Sequence, residues 1–362
     1  MYIDLIELFP HNTRNRLWLS EIFQCSIRRF DGFVKANMFP IFIVQGSKNC
    51  PPEERSIQFQ LFPSLNEVGQ KFGLIHIMDE NYDHDISAYH LDECSMVFRE
   101  YLRPSGGRLQ LLKDYGKSFY RPIHNSQYSG LKLFPYKIYA RFARFRFLKD
   151  QHLPTLSENS IFHIPLGYTD RFAKTKKEKI PSMSERNYKW SFCGDSFKSD
   201  RNLMLKTLRN VQPNFIYEYR GFMGEQSLSG EDYWEVLTRS MFAPCPLGNV
   251  NIDTYRIFEV LEAKAIPIIL KGHTWQPYDY YASLFGRHPI PTFQSWKSAS
   301  IFLNEISLES TEELAVRVSE WYKRFKTNLK VKIQEMLQEM AQSGCPAYDI
   351  SCFDSYARYL QQ

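Results

Sequence analysis

The chain lacks any long apolar segment of the kind found in membrane-spanning and secreted proteins. None of its 362 residues lies in an uninterrupted apolar run of about 18 residues, the length that marks a transmembrane helix. The N-terminus, Met1-Tyr-Ile-Asp-Leu-Ile-Glu7, has neither the basic start nor the apolar stretch of a signal peptide. The sequence therefore predicts a first β-strand here and a cytoplasmic protein.

Paired cysteines are also missing. The seven cysteines are odd in number and scattered, and no Cys-x-x-Cys pair occurs. Reduced thiols are therefore expected, and neither a disulfide framework nor a zinc site is predicted. The chain has no Gly-x-Gly-x-x-Gly fingerprint, no low-complexity segment and no repeat of fixed period, which disfavours a dinucleotide-binding protein of the usual type and a solenoid.

Neither sign of charge is in large excess. The formal net charge is +5, which permits an anionic ligand without indicating a nucleic-acid partner. What the chain does contain is 43% hydrophobic and 15% aromatic residues, enough for two cores. A chain of this length is predicted to form two domains.

The N-terminal half alternates strand-like with helix-like segments, which indicates an α/β fold. The period of its apolar residues predicts one helix over residues 18–34. Continuous apolar runs are typical of a parallel sheet that is covered on both faces. The predicted strands are Tyr2–Leu8, Ile41–Val44, Leu74–Met78, Met96–Tyr101 and Ser160–Ile164.

A lysine-rich stretch over residues 170–187 separates this half from a second alternating half. The predicted strands of the second half are Tyr188–Cys193, Phe215–Tyr219, Met241–Ala243 and Ala265–Leu270. Its predicted helices are Asp200–Asn210, with Leu203, Met204 and Leu208 inward, then Tyr233–Ser240, and one that begins near Asp253. A long helix is predicted from Ser310, with Glu313 at capping-box spacing, to about Gln342.

The helix near Asp253 carries the most informative pair of side chains. Arg256 and Glu259 lie three residues apart near its start. A helix N-terminus attracts anions, and an arginine there can bind phosphate oxygens with its planar guanidinium. Glu259, one turn deeper, can accept hydrogen bonds from ribose hydroxyls. The alternative is a surface ion pair worth only a few tenths of a kcal/mol.

Several segments in the same order resemble one family. They are Val97-Phe-Arg-Glu-Tyr101, Ile164-Pro-Leu-Gly-Tyr168, Trp190-Ser-Phe-Cys-Gly194 with Arg201, Phe242-Ala-Pro-Cys-Pro-Leu-Gly248, Arg256-Ile-Phe-Glu259 and Ala265-Ile-Pro267. Together they resemble exostosin-like glycosyltransferases, in particular the branch of the ribitol-xylosyltransferase type. The resemblance implies a GT-B fold, in which two Rossmann-like domains face a central cleft and a long C-terminal helix packs back across them.

By this resemblance, Arg256 contacts the diphosphate of a nucleotide sugar and Glu259 the ribose. Asp253 is expected to cap the helix, and Thr254 to place a hydroxyl near the anion. Gly194 follows a strand and would let the backbone approach a phosphate, with Arg201 as a second phosphate ligand. The alternatives for Gly194 and Arg201 are an ordinary turn and a solvated helix residue.

The loop Pro244-Cys-Pro-Leu-Gly-Asn249 is the last candidate part of the donor site. Its two prolines restrict the backbone, and Gly248 permits an unusual backbone angle. It would form a wall for the donor sugar, and a plain structural turn is the alternative.

Asp79 and Glu80 are the candidate catalytic bases. They follow the predicted strand that ends at Met78, and His76 lies just before them. Inverting transfer needs a carboxylate to take the proton of the acceptor hydroxyl. A solvated acidic loop is the alternative. The Asp83-His-Asp85 tripeptide in the same loop resembles a metal-binding Asp-x-Asp, but it lies in the half opposite the predicted donor site.

A basic and aromatic stretch, Arg141-Phe-Ala-Arg-Phe-Arg-Phe-Leu-Lys149, allows three interpretations. It could bind single-stranded nucleic acid or lie on an anionic membrane surface. The preferred interpretation is an ordinary amphipathic element whose arginines reach solvent.

The sequence thus predicts an acceptor domain at 1–168, a donor domain at 169–310 and a helical segment at 311–362. The resemblance implies transfer of a sugar from a nucleotide diphosphate, UDP above all, to a hydroxyl of a glycan or lipid-linked glycan, with inversion. Eukaryotic Golgi relatives of such enzymes normally carry a membrane anchor, so a chain without one is expected to be a bacterial-type cytoplasmic enzyme or a shortened protein. No cofactor or divalent metal and no nucleic-acid partner is expected, and peripheral membrane contact stays open. Two alternatives remain: an epimerase or hydrolase on the same scaffold, and a polyanion- or glycan-binding protein with an idle glycosyltransferase-like domain.

Overall fold

The computed structural model describes most of the chain. It covers residues 2–8, 13–35, 38–45, 52–78, 87–101, 161–175, 179–197, 199–220, 226–248, 253–271 and 280–342, with the backbone alone at 52–57, 283 and 340–342. These residues form two compact units. Unit 1 holds residues 2–101, 161–165 and 328–342 of this set, and unit 2 holds residues 166–327.

Unit 1 is built on a parallel sheet of six strands. The strands are β1 (Tyr2–Glu7), β2 (Ile27–Arg29), β3 (Met38–Val44), β4 (Phe72–His76), β5 (Cys94–Arg99) and β6 (Ile161–His163), in the order β2-β1-β3-β4-β5-β6. Helices α1 (Arg16–Phe23) and α2 (Pro52–Glu67) and a 3₁₀ turn (Ser87–His90) connect them. On one face, Phe42, Phe62 and Phe72 pack ring against ring in the core.

The predicted helix over residues 18–34 is wrong in its second half. The first helix ends at Phe23, because Gln24 adopts a left-handed backbone with φ 53°. Residues Ile27–Arg29 then form β2 and pair in parallel with β1. Leu19, Ile22 and Phe23 are buried as the helical period predicts, so the period identified the helix but not its end.

Unit 2 is built on a second parallel sheet. Its strands are β7 (Tyr188–Gly194), β8 (Asn214–Glu218), β9 (Ser240–Pro244), β10 (Ile266–Leu270) and β11 (Thr292–Phe293), in the order β11-β10-β9-β7-β8. Its helices are α3 (Asp170–Ala173), α4 (Arg201–Leu208), α5 (Gly230–Thr238), α6 (Tyr255–Glu262), α7 (Tyr280–Phe285) and α8 (Trp296–Glu305), with a 3₁₀ turn at Met183–Glu185.

One face of α4 differs from the prediction. Leu203 is 48% exposed, although it was expected to point inward, whereas Met204 and Leu208 are buried as expected. Leu205 is buried in its place. Leu203 and Leu205 lie on nearly opposite sides of the helix, since each residue advances about 100° around the axis, so the inward stripe includes Leu205 and leaves Leu203 out.

The last helix, α9, spans Leu308–Gln342 and begins before the predicted Ser310. Ser307 caps it, because its hydroxyl accepts a hydrogen bond from the Ser310 backbone N at 3.1 Å. The division between the two units falls inside this helix, at Thr327. In unit 2, Lys326 pairs with Glu262 at 2.7 Å, and in unit 1, Lys330 pairs with Glu21 at 2.9 Å.

The α/β class, the two parallel sheets expected of a GT-B protein and the long C-terminal helix are confirmed. Both sheets reverse their strand order at one point, between β1 and β3 in unit 1 and between β7 and β9 in unit 2. Ligands of open parallel sheets bind beyond the carboxyl ends of the strands at such a reversal. Across the ranges given above, none of the helices has the length and apolar character needed to cross a membrane.

Candidate anion-binding site

Five of the predicted donor-site residues lie around the reversal point of unit 2. Gly194 ends β7, and Arg201 opens the helix after it. Asp253, Arg256 and Glu259 lie in or just before α6, which follows β9. Burial of the apolar face of α6 in the core fixes the orientation of the helix and therefore of its polar residues. The buried apolar residues are Ile257, Phe258, Val260 and Leu261.

Arg256 is the second residue of α6 and its guanidinium is held from two sides. Its Nη2 donates to the backbone oxygen of Cys193 at 2.6 Å, and its Cζ lies 4.4 Å from the centre of the Phe192 ring. Its Nη1 is buried and has no hydrogen-bond partner among the residues that the structure describes. A buried N–H donor without an acceptor costs about 1–3 kcal/mol, so this atom is suited to an anionic ligand.

Gly194 makes room for that guanidinium. A Cβ at this position would lie 2.8 Å from Nη2 of Arg256. Glycine was expected here because it would let a phosphate approach the backbone. The close approach seen is that of Arg256 itself, so any larger residue would displace the arginine.

Arg201 lies close to Arg256. Its Nη1 donates to the backbone oxygen of Asp195 at 3.0 Å, while its Nε is buried without a partner among the described residues. The pKa of Arg201 is lowered to about 10. Burial is the main cause, and the positive charge of nearby Arg256 contributes to the same shift. Two like charges this close favour the binding of an anion between or beside them.

Glu259 is engaged within the protein. It is 7% exposed, and its Oε1 accepts hydrogen bonds from Thr169 Oγ1 at 2.8 Å and from Thr169 N at 3.4 Å. Tyr233 also hydrogen-bonds to this carboxylate. Burial raises the pKa of Glu259, and the hydrogen bonds from Thr169 and the charge of Arg256 act against that rise.

Asp253 does not cap α6. The N-cap is Thr254, whose side chain makes no capping hydrogen bond and whose Oγ1 is buried without a partner among the described residues. Asp253 is 3% exposed and accepts a hydrogen bond from the Tyr280 hydroxyl at 3.2 Å. Burial raises the pKa of Asp253 to about 7, so this carboxyl is partly protonated near neutral pH.

Asp200 holds the loop after β9 in place, although no sequence pattern indicated it as a site residue. Asp200 accepts hydrogen bonds from Leu247 N at 3.1 Å and from Trp296 Nε1 at 2.7 Å. It therefore joins the start of α4 to the loop that reaches Gly248, the last described residue before 249–252. Thr169 and Tyr233 were missed in the same way, because neither is near Glu259 in sequence.

Other predicted residues fall outside the described part of the chain. They are the candidate bases Asp79 and Glu80, the Asp83-His-Asp85 tripeptide and the basic stretch at 141–149. His76 is described: it is buried at the end of β4, and its Nδ1 hydrogen-bonds the Tyr89 hydroxyl. Within the described ranges, no three His, Cys, Asp or Glu side chains form a cluster able to hold a metal ion.

Residues 169–341 match the family described as the RXYLT1 C-terminal domain. Ribitol-5-phosphate xylosyltransferase 1 of Danio rerio is 24% identical over 206 residues, which cover 51% of this chain and 46% of that protein. The Homo sapiens protein of the same name gives the same identity and coverage. The chain spans about half the length of the curated relatives it matches.

Two solved structures are also similar over most of the chain. An α1,3-fucosyltransferase superposes with a TM-score of 0.38 at 11% identity, covering 91% of this chain and 90% of that one. Anabaena HepE in complex with UDP and glucose gives a TM-score of 0.44 at 11% identity, covering 93% and 100%. The resemblance of the chain to the ribitol-xylosyltransferase branch is confirmed by the family match over residues 169–341.

Proposed function

We propose that the protein is a glycosyltransferase and that unit 2 binds the nucleoside diphosphate of its sugar donor. One observation carries the proposal: the buried Nη1 of Arg256 has no acceptor within the described part of the chain, although its Nη2 is anchored. Arg201 adds a second half-buried guanidinium beside it. The family match of this unit, with relatives that are named xylosyltransferases, supports the same conclusion.

In this proposal the two arginines act on the leaving group. The oxygen of an acceptor hydroxyl attacks the anomeric carbon of the donor sugar from the face opposite the diphosphate. The bond between that carbon and the diphosphate oxygen breaks, and the diphosphate keeps the electron pair. Arg256 and Arg201 would stabilise the added negative charge, which is the task of a preorganised electrostatic site. The configuration of the anomeric carbon is inverted.

The proton of the acceptor hydroxyl needs a base. We keep Asp79 and Glu80 as the proposed pair, since they follow a strand of the other unit at its carboxyl end. A divalent metal is not needed in this scheme, because the two guanidiniums supply the positive charge. The relatives' name suggests xylose as the transferred sugar and a ribitol phosphate as one acceptor, within the wider class of glycan and lipid-linked glycan hydroxyls.

Calorimetric titration with UDP, GDP, CDP and CMP, in EDTA and then with Mn²⁺, tests the donor site. We expect one nucleoside diphosphate to bind in EDTA and CMP to bind more weakly, because it lacks the second phosphate. Binding of no nucleotide under either condition would refute the donor site. Binding that requires Mn²⁺ would refute the metal-free scheme and direct attention to Asp83 and Asp85.

The reaction is tested separately with the nucleotide sugar that contains the base selected in the titration. A product that forms only when a hydroxyl acceptor is added supports transfer. Free sugar or an epimerised donor formed without acceptor would indicate a hydrolase or an epimerase. Asp79→Asn and Glu80→Gln are expected to retain donor binding, and at least one should lower turnover. Full activity in both variants would exclude them as the base.

A further inference from the structure

The loop after β7 carries an aromatic ring, that of Phe197, which the proposed diphosphate contacts do not use. Phe197 is 48% exposed. Among the described aromatic side chains of unit 2, it is the only one that is largely exposed to solvent. Single exposed apolar side chains are common on protein surfaces, so the interest of this ring lies in its position next to Asp195, whose backbone oxygen accepts a hydrogen bond from Arg201.

The backbone that carries Phe197 is tied to the anion-binding site. Asp195, which is buried, accepts a hydrogen bond from Phe197 N at 2.9 Å through Oδ1. The backbone oxygen of the same residue accepts from Arg201 Nη1 at 3.0 Å. The exposed ring is therefore carried by a hydrogen-bonded turn. One residue of that turn, Asp195, accepts a hydrogen bond from Arg201, which is a proposed phosphate-binding residue.

A cation from the neighbouring strand lies over the ring. Cζ of Arg220 is 4.7 Å from the centre of the Phe197 ring. Tyr219, just before it, donates its backbone N–H to the Gly194 oxygen at 3.2 Å. Phe197 and the neighbour of Arg220, Tyr219, are thus both hydrogen-bonded to the segment 193–195, whose Cys193 oxygen accepts from Arg256.

We propose that Phe197 is the surface on which the nucleobase of the donor stacks, with Arg220 orienting the ring. This inference rests on the proposed function, since it assigns the base of the same nucleotide whose phosphates Arg256 and Arg201 would bind. Every nucleobase has a π-face, and stacking on an aromatic side chain contributes binding energy for all of them. The charges around the ring favour a ligand that joins a flat aromatic group to an anion.

The spacing along the chain fits one nucleotide. Phe197 follows Gly194 by three residues, so their Cα atoms are at most about 11 Å apart even in an extended chain. A nucleoside diphosphate spans a comparable length from its base to its second phosphate. The ring is therefore near enough to contact the base while the diphosphate lies against Arg256.

Stacking makes a specific prediction about ligand preference. It should add affinity for UDP, CDP and GDP alike, compared with inorganic pyrophosphate, which has no base. The choice among bases would then come from hydrogen bonds made elsewhere, because an aromatic ring does not distinguish the edges of the bases.

The test is calorimetric titration of the full chain in EDTA with UDP, CDP, GDP and pyrophosphate. Phe197→Ala is expected to weaken the nucleotides about ten-fold and to leave pyrophosphate unchanged. Phe197→Trp should retain nucleotide affinity, and Arg220→Gln should weaken it about two-fold to three-fold. Phe59→Ala is the matched control, because Phe59 is 57% exposed in unit 1 and should leave all four affinities unchanged.

The outcomes separate this inference from the proposed function. If the wild type binds nucleotides but Phe197→Ala binds them equally well, the stacking surface is wrong and the phosphate site stands. If Phe197→Ala weakens pyrophosphate as much as the nucleotides, the ring acts on the phosphate site and stacking is refuted. If the wild type binds none of the four ligands, the proposed function fails and this inference fails with it. Thermal unfolding confirms that each variant is folded.

Discussion

Units 1 and 2 share one order of parallel strands but place different groups where that order reverses. Counted from its first strand, each sheet runs second, first, third, fourth and fifth, and unit 1 adds β6. In unit 1 the reversal carries Glu7, the last residue of β1, whose side chain is fully buried and 3.3 Å from Arg16 Nη1. In unit 2 it carries Gly194 and the guanidiniums of Arg201 and Arg256, each with one buried nitrogen that has no acceptor in the described part of the chain.

The polar groups near the reversal point also differ in how they are satisfied. In unit 1, Glu100 is completely buried and accepts from Asn15 Nδ2 at 2.9 Å and from Met78 N at 3.0 Å. Both its oxygens are therefore used to join α1 to the end of β4. At the reversal itself, both carboxylate oxygens of Glu7 are buried without a hydrogen bond among the described residues, whereas the buried unpaired atoms of Arg256 and Arg201 in unit 2 are N–H donors. The comparison teaches that the strand order fixes where a ligand can bind, while the residues at that edge determine whether one does.

The largest expected effect comes from removing Arg256, whose Nη1 has no acceptor among the residues that the structure describes. Arg256→Met should weaken the binding of the preferred nucleoside diphosphate about 100-fold, because a charged hydrogen-bond donor to phosphate is lost. Isothermal titration calorimetry measures the change. The stability of the protein should change little, because the loss of the Nη2 hydrogen bond to the Cys193 oxygen is offset by the removal of a like charge near Arg201.

Arg209→Met is the matched control for that variant. Arg209 lies in the same unit and pairs on the surface with Glu218 at 2.8 Å, so it should leave nucleotide affinity unchanged. A loss of affinity in both variants would mean that net charge alone attracts the nucleotide. An unchanged affinity in Arg256→Met would remove Arg256 from the site.

The corresponding arginine of unit 1 should behave in the opposite way. Arg16→Met leaves the buried carboxylate of Glu7 without its counter-charge and should lower the free energy of unfolding by about 2 kcal/mol, with nucleotide affinity unchanged. Urea unfolding measures the loss. Adding Glu7→Gln should recover part of it, because a neutral amide needs no counter-charge. A double variant less stable than Arg16→Met would show that Glu7 has another role.

Two glycines extend the same contrast. A Cβ on Gly73 would lie 3.1 Å from Met96 Cγ and 3.2 Å from Phe39 Cε1 in the core of unit 1. Gly73→Ala should therefore cost about 1.5 kcal/mol of stability through overpacking and leave nucleotide binding intact. Gly194→Ala should displace the Arg256 guanidinium and weaken nucleotide binding more than it weakens the fold. Equal effects of the two variants on binding would contradict the contrast.

Much of the fold could be predicted from sequence because parallel strands buried on both faces are continuous apolar runs. β3, β4 and β10 are of this kind. β2 was missed because its sequence, Ile27-Arg-Arg29, is half-exposed and follows a helix in the same apolar period. Only the left-handed backbone of Gln24 ends α1, and a glutamine gives no signal for that conformation.

Only part of the candidate site could be predicted from the sequence. Four of its residues belong to recognisable segments of sequence and lie close together in the structure: Gly194, Arg201, Arg256 and Glu259. Thr169 could not be predicted as a partner of Glu259, because ninety residues separate them. Asp200 has the same property, since its contacts to Leu247 and Trp296 arise only from tertiary packing.

The smallest expected effect concerns the carboxylate of unit 2 that already has protein partners. Glu259→Gln should weaken nucleoside diphosphate binding about ten-fold, because a neutral amide oxygen accepts ribose hydroxyls less strongly than a carboxylate. The amide oxygen can still accept from Thr169 Oγ1, so the free energy of unfolding should change little. If stability falls and affinity does not, Glu259 only anchors Thr169.

The pH dependence of that effect gives the final test. Burial raises the pKa of Glu259 above its ordinary value of 4.5, so the wild-type side chain is neutral at low pH and resembles the glutamine variant. As the pH rises through the raised pKa, the carboxylate ionises and accepts ribose hydroxyls more strongly. The ratio of wild-type to variant affinity should therefore be near one at low pH and grow with pH. Because both proteins see the same ionisation of the phosphates, the ratio isolates Glu259, and a constant ratio would show that its charge plays no part in binding.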